Sequence, residues 1–224
     1  IYKGKQIHEE IVHQGILEKD IILGNALVDM YAKCSLLTKA HEVLESLPIR
    51  NLVSWTALIA GYARHGLGDK AFNCFVRMRT EGLVPDAITF ICILKACGHV
   101  ECLRMGEEIH VEIEKQGLLR ENIILATALI GMYAKCKIVE KAQKVFNDLP
   151  IRDCVTWNTL ITGYARHGLA HEALDRFIQM RDEGFSPDAI TLPCILKAIG
   201  NIGAIEKGEE IHKEILRKGF LKMN

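Results

Sequence analysis

The two tryptophans of this 224-residue chain, Trp55 and Trp157, stand 102 residues apart, and most of the sequence obeys the same offset. MYAKC occupies 30–34 and 132–136, PDAIT 85–89 and 187–191, and CILKA 92–96 and 194–198. GEEIH at 106–110 returns at 208–212, and GKQIH at 4–8 is a third copy. Self-similarity on this scale constrains the fold more than any single residue does. Each segment is too small to bury its own apolar face, so neighbouring copies must stack and share a core.

The repeating unit is clearest over 52–86. Trp55, Leu58, Ile59 and Tyr62 fall at i, i+3, i+4 and i+7, one face of a helix. Gly66 and Gly68 interrupt and free the backbone to turn. Ala71, Phe72, Phe75 and Met78 form a second helical stripe, with Gly82 expected as its C-cap and Pro85 as its stop. The same reading divides the chain into a leading half repeat, 1–20, and six whole ones: 21–51, 52–86, 87–122, 123–153, 154–188 and 189–224. Their lengths cycle through 31, 35 and 36 residues. Leu27, Tyr31, Ala40 and Leu44 mark the core of the 31-residue unit, and Phe90, Leu94 and Cys97 that of the 36-residue unit. Pro48 and Pro150 are assigned to tight turns between repeats. Ile1 falls in mid-repeat, which points to a piece of a longer protein, and no targeting segment precedes it here.

Composition narrows function. Lys plus Arg and Asp plus Glu both number 28, so no net field draws the chain towards DNA or a membrane. Nucleic-acid binding would have to come from local placement. No apolar run is long enough to cross a bilayer. The eight cysteines are irregularly spaced in a chain large enough to bury a core, so reduced thiols are expected. H-x-E at His8/Glu10, His110/Glu112 and His212/Glu214 is half of a zinc-deaminase signature, but the P-C-x-x-C half is missing. HEEIVH at 8–13 is one residue too long to put two histidines on one helical face. Cys92, Cys97 and Cys102 match Cys194, Ile199 and Ala204 one period later, so no metal set repeats. No cofactor, metal or catalytic residue is expected.

VSWTALIAGYARHG and VTWNTLITGYARHG, AITFICILKAC, GNALVDMYAKC and ATALIGMYAKC resemble the pentatricopeptide repeats of the plant subclass in which P, L and S repeats alternate. By that resemblance 21–51 and 123–153 are S repeats, 52–86 and 154–188 are P repeats, and 87–122 and 189–224 are L repeats. The leading 1–20 is then the second helix of an L repeat. The expected fold is all-α: a right-handed superhelical α-solenoid of helix-turn-helix repeats, with about twelve full helices and no strands. The tetratricopeptide repeat, a protein-binding module, is the competitor. Trp55, Leu58, Tyr62, Ala71 and Phe75 fall at its spacings. Its small residue is replaced by Ile59, its proline comes two residues late, and its period is constant.

The resemblance implies that the fifth and last residues of each repeat read one RNA base. Those pairs are Asn25/Asn51, Thr56/Asp86, Ile91/Asn122, Thr127/Asp153, Asn158/Asp188 and Pro193/Asn224. An ionised Asp accepts from the ring N–H of guanine or uracil, whereas an Asn amide donates to the bare ring nitrogen of adenine or cytosine. A short Thr leaves room for a purine and a longer Asn meets a pyrimidine. Ile91 and Pro193 offer no side-chain polar group, so their slots should discriminate poorly. Short polar residues at helix starts also serve as caps, and Thr127 could do both jobs. Three residues before each reader stand Ile22, Val53, Ile88, Ile124, Val155 and Ile190, which the resemblance assigns to sandwiching bases and which otherwise read as core. Lys33, Arg64, Lys135 and Arg166, eight residues after four of the readers, correspond to phosphate contacts. They also complement helix dipoles.

The reading is therefore a single-stranded RNA-binding array with the preference 5′-C/U-G-N-G-U-N-3′, similar to the targeting part of plant organellar RNA-editing factors. The resemblance further implies a mitochondrial or chloroplast setting, C-to-U editing carried out by a part absent from this chain, and small accessory proteins docking on the L repeats. A protein-interaction scaffold is the alternative.

Overall fold

The computed structural model describes residues 2–17, 20–204, 206, 208–209 and 211–213. Its described elements are twelve α-helices joined by short turns, with no strand among the described residues. No helix among those residues is long and apolar enough to cross a membrane. The chain divides into two compact units, Ile1–Ile113 and Glu114–Asn224.

The first unit holds α1 (Tyr2–His13), α2 (Ile21–Lys33), α3 (Leu37–Ser46), α4 (Leu52–Arg64), α5 (Gly68–Thr80), α6 (Ala87–His99) and nearly all of α7 (Leu103–Lys115). Here α2, α4 and α6 pack side by side, while α3 lies against α2 and α4, and α5 against α4 and α6. The second unit repeats the plan with α8 (Ile123–Lys135), α9 (Val139–Asn147), α10 (Cys154–Arg166), α11 (Ala170–Asp182) and α12 (Thr191–Ile202). There α8, α10 and α12 form the row, α9 lies against α8 and α10, and α11 against α10 and α12. Within each unit, α3, α5, α9 and α11 are thus wedged between their own partner and the next first helix.

The core is the set of stripes read from the sequence. Trp55, Leu58, Ile59 and Tyr62 on α4 are buried, as are Ala71, Phe75 and Met78 on α5. Phe72 is only half-buried, and Cys74 takes the place in the core, where burial pushes its thiol up to about 11. Among the described residues, which include all eight cysteines, no disulfide forms. No group of three or more His, Cys, Asp or Glu there could hold a metal ion.

Successive hairpins are tied by a recurring tyrosine. Tyr31 meets His8 at 2.9 Å, Tyr62 meets His41 at 3.2 Å, and Tyr164 donates to Gln143 at 3.0 Å. A second tie has diverged between copies. Trp55 Nε1 donates to Glu81 at 2.8 Å, and Arg77 lies over the Trp55 ring while pairing with Glu45 at 2.5 Å. One period on, Gln179 and Asn147 replace Arg77 and Glu45. Gln179 draws Glu183 to itself at 3.0 Å, and the buried Trp157 Nε1 has no partner.

Two backbone devices make the hairpins fit. At the end of α4, Gly66 is left-handed at φ 70°, its N–H reaches Ala63 O, and Leu67 N–H reaches Tyr62 O. These bonds form a Schellman closure. Gly68, expected in that turn, instead begins α5. The equivalent left-handed positions in the shorter hairpins are Ser35 (φ 63°) and Lys137 (φ 67°), which carry side chains there. The other device is close approach: a Cβ on Gly163 would come within 2.7 Å of Ala134 Cβ, so α10 and α8 touch through small residues. Lys137→Gly should relieve the left-handed strain and stabilise the second unit by up to about 1 kcal/mol. Gly163→Val should force the two helices apart and destabilise by about 2 kcal/mol. Urea unfolding of each variant checks both signs.

Candidate nucleic-acid interface

The first four N–H groups of a helix lack intrahelical partners. In this chain a residue preceding each of the six first helices supplies an acceptor, beginning with Asp20 before α2, whose Oδ1 accepts from Ile22 N–H at 2.9 Å and Leu23 N–H at 3.1 Å. Asn51 Oδ1 accepts from Ser54 N–H at 2.9 Å, Asp86 Oδ1 from Thr89 at 2.8 Å, Asn122 Oδ1 from Leu125 at 2.9 Å, and Asp153 Oδ1 from Thr156 at 2.8 Å. Asp188 Oδ1 accepts from Ile190 at 2.8 Å and Thr191 at 2.9 Å. The regular helix there starts at Thr191 because Pro193 has no N–H to return to Ala189. Capping thus falls on the last residues of the expected repeats and leaves one atom of each side chain, Asp Oδ2 or Asn Nδ2, outside the cap.

The fifth-position residues lie one turn into the preceding first helix. Thr56 and Thr127 are half-buried, while Asn158 is buried at 6% exposure. Asn158 Nδ2 donates to Asp188 Oδ2 at 2.6 Å, so this pair is joined directly. Thr127 also donates to Ile123 O at 2.7 Å, which holds it to its own helix rather than to a cap. Asn25 Oδ1 is buried without a hydrogen-bond partner. Ile91 is half-buried and Pro193 exposed, Ile91 and Asn122 belong to different units, and Asn224 lies outside the described residues.

The six aliphatics do not pack in the core. Ile22, Val53, Ile88, Ile124, Val155 and Ile190 are 59% to 75% exposed. Five of them are the second residue of a first helix, and Ile190 immediately precedes α12. Of the basic residues, Arg64 and Arg166 are exposed at helix ends, and Lys33 is exposed but pairs with Asp29 at 2.6 Å. Lys135 is half-buried.

What sequence reading missed lies between the readers. Thr89, Thr156 and Thr191, three residues after Asp86, Asp153 and Asp188, are fully buried and hydrogen-bond those carboxylates through their hydroxyls. The spacing D-x-x-T was the available signal. Around Asp188, burial pushes the carboxyl up, but bonds from Thr191 N–H, Ile190 N–H, the Thr191 hydroxyl and its own N–H outweigh it and hold it below its ordinary value.

Stacked hairpins that set capping side chains and exposed aliphatics at the same helix ends define a helical-repeat protein. The profile described as PPR repeat family matches residues 50–99 and 152–201, and that described as PPR repeat matches 25–52 and 124–154. The chain belongs to the pentatricopeptide repeat family. A mitochondrial pentatricopeptide repeat-containing protein of Arabidopsis thaliana is 35% identical over 217 residues, covering 97% of this chain and 39% of that protein. A chloroplastic one from the same plant is 35% identical over 219 residues, covering 97% of this chain and 41% of that protein. In fold, the chain resembles the crystal structure of the pentatricopeptide repeat protein PPR10 in complex with an 18-nt psaJ RNA element. The TM-score is 0.73 at 19% identity, over 93% of this chain and 31% of that one. The chain spans 25% to 41% of the length of the curated relatives it matches.

A carboxylate with a depressed pKa stabilises the fold above the ordinary aspartate range, and that contribution is lost as pH falls through the depressed value. Asp188 should therefore stay ionised below its ordinary value of 3.8 in a carbon-13 titration. Protonating it should loosen the start of α12. A midpoint at or above the ordinary value would show that the cap bonds do not govern this carboxylate.

Proposed function

We propose that this chain binds single-stranded RNA one base per repeat, with repeats of the P, L and S types placed as read from the sequence. The observation that carries the reading is the exposure of all six aliphatics beside capped polar residues. An apolar side chain left wet at every such place needs a ligand with apolar faces at the same period, and unstacked bases have them. The family supports the same ligand, and the PPR10 structure contains an RNA element.

The atoms left outside the caps set the preference. Asp86 and Asp153 keep Oδ2 as an acceptor for the N1–H of guanine. At Asn158/Asp188, one amide proton and the second carboxylate oxygen form a donor beside an acceptor, which matches the O4 and N3–H of uracil. Asn51 keeps an Nδ2 donor suited to the N3 of cytosine. The target is 5′-C/U-G-N-G-U-N-3′, bound at moderate, salt-sensitive affinity because few basic residues face the backbone. The chain positions RNA and leaves chemistry to another part or protein, with organellar C-to-U editing as the process served and accessory proteins meeting the L repeats. Relatives named mitochondrial and chloroplastic support an organellar setting.

Titration of RNAs differing only at the second base tests this. Wild type should prefer G to A, and Asp86→Asn should reverse that order by about tenfold or more, the effect of a slot left unpaired. Arg64→Ala should weaken all RNAs alike and flatten the salt dependence. Identical ranking of G and A by wild type and Asp86→Asn would remove the assigned reader. Equal binding of duplex and DNA would return the surface to a protein-interaction scaffold.

A further inference from the structure

A hydroxyl buried in the first turn must find partners. Ser54, Thr89 and Thr156 are the third residues of α4, α6 and α10, and Thr191 opens α12, three residues after Asp188; all four are 0% exposed. Thr89 Oγ1 lies 2.7 Å from Asp86 Oδ1 and 2.7 Å from Thr56 Oγ1. Thr156 Oγ1 lies 2.6 Å from Asp153 Oδ1 and 3.1 Å from Thr127 Oγ1. Thr191 Oγ1 lies 2.9 Å from Asp188 Oδ1 and also contacts Asn158 Oδ1. At Thr56/Asp86, Thr127/Asp153 and Asn158/Asp188, one side chain of the following repeat therefore touches both members of the polar pair.

We propose that Thr89, Thr156 and Thr191 are positioning residues of the base slots, whose hydroxyls decide which atoms the two readers leave for the base. The inference rests on the base-reading function proposed above.

A threonine hydroxyl has one proton, and the bond to an ionised carboxylate is the stronger use of it. Once Thr89 donates to Asp86, Thr56 must send its own proton to Thr89 Oγ1. The remaining Thr56 lone pair then only accepts. At Thr127 the one proton is shared between Ile123 O, 2.7 Å away, and Thr156 Oγ1, 3.1 Å away, with the same result. Each of these slots presents two acceptors, which suits the N1–H and N2–H groups of guanine and repels the bare N1 of adenine.

The molecule carries its own contrast. Ser54 donates instead to Asn51 O at 2.9 Å and accepts Asn51 N–H at 3.0 Å. The Asn25 Oδ1 of that slot is left buried without a partner. After Asn122 the third residue is Leu125, which has no hydroxyl. The bridge occurs at the three reader pairs that end in Asp and at neither that ends in a described Asn, and Asp20, which caps α2, is followed by Leu23 at the same place.

The test compares wild type, Thr89→Val and Thr89→Ser on RNAs with G or A at the second or fourth base. Valine keeps the branched shape without the hydroxyl, and serine restores the hydroxyl. We expect Thr89→Val to cut an about tenfold preference for G at the second base to about twofold, leave the fourth base unchanged, and be rescued by Thr89→Ser. Thr156→Val should move the loss to the fourth base. An undiminished preference at the second base in Thr89→Val, or an equal loss at both bases, overturns the positioning role while the base-reading function stands. Equal binding of G and A by wild type overturns both. Thr191→Val should also raise the carbon-13 titration midpoint of Asp188 in protein without RNA, and an unmoved midpoint counts against the bridge itself.

Discussion

A helical hairpin of this length has an apolar face that its own two helices cannot cover, and everything else follows from where that face goes. Trp55, Leu58, Ile59, Phe75 and Met78 are buried only because the neighbouring hairpins close over them. The row of first helices is tight enough that Gly61 and Gly163 face Ala32 and Ala134 with no room for a Cβ. A chain built this way is held together between sequence neighbours, so its stability is a sum of local interfaces and not of one central core.

The same stacking fixes the candidate site. Because each first helix starts beside its predecessor, the side chain that caps it, such as Asp86, comes within one hydroxyl of a residue in the preceding first helix, Thr56. Under the proposed function, structure and recognition share atoms there. One carboxylate oxygen holds the helix start and the other is available to a ligand. The exposed Val53 and Ile88 belong to the same first turns, so apolar and polar contacts keep a common spacing.

Much of the fold was legible because helical stripes are a period that sequence displays directly. Trp55 through Tyr62 needed only spacing. Gly68 misled because glycine signals either a turn or a close approach, and its neighbour Val100 is 32 positions away in sequence. The left-handed Ser35 and Lys137 gave no signal, since their geometry is imposed by closing the hairpin. At the candidate site, spacing was readable but exposure was not: Ile22 and Leu27 look alike on a page, yet one is 75% exposed and the other 4%. The caps were weighed at helix starts without deciding which residue made them, because that depends on where each helix begins. The bridging threonines escaped notice since their partners Thr56, Thr127 and Asn158 lie on another helix.

The cap also limits what such a surface can say. A residue that must start a helix is drawn from a short set, chiefly Asn, Asp, Ser, Thr and Gly. Of these, Asp offers the ligand an acceptor and Asn a donor once one oxygen is committed to the backbone. In the language of information, that position carries about one binary digit, and helix stability sets its alphabet before base chemistry does. Four bases need two such digits. Under the proposed reading the second comes from the preceding helix, where Thr56 and Asn158 are free to differ because neither has a helix to begin.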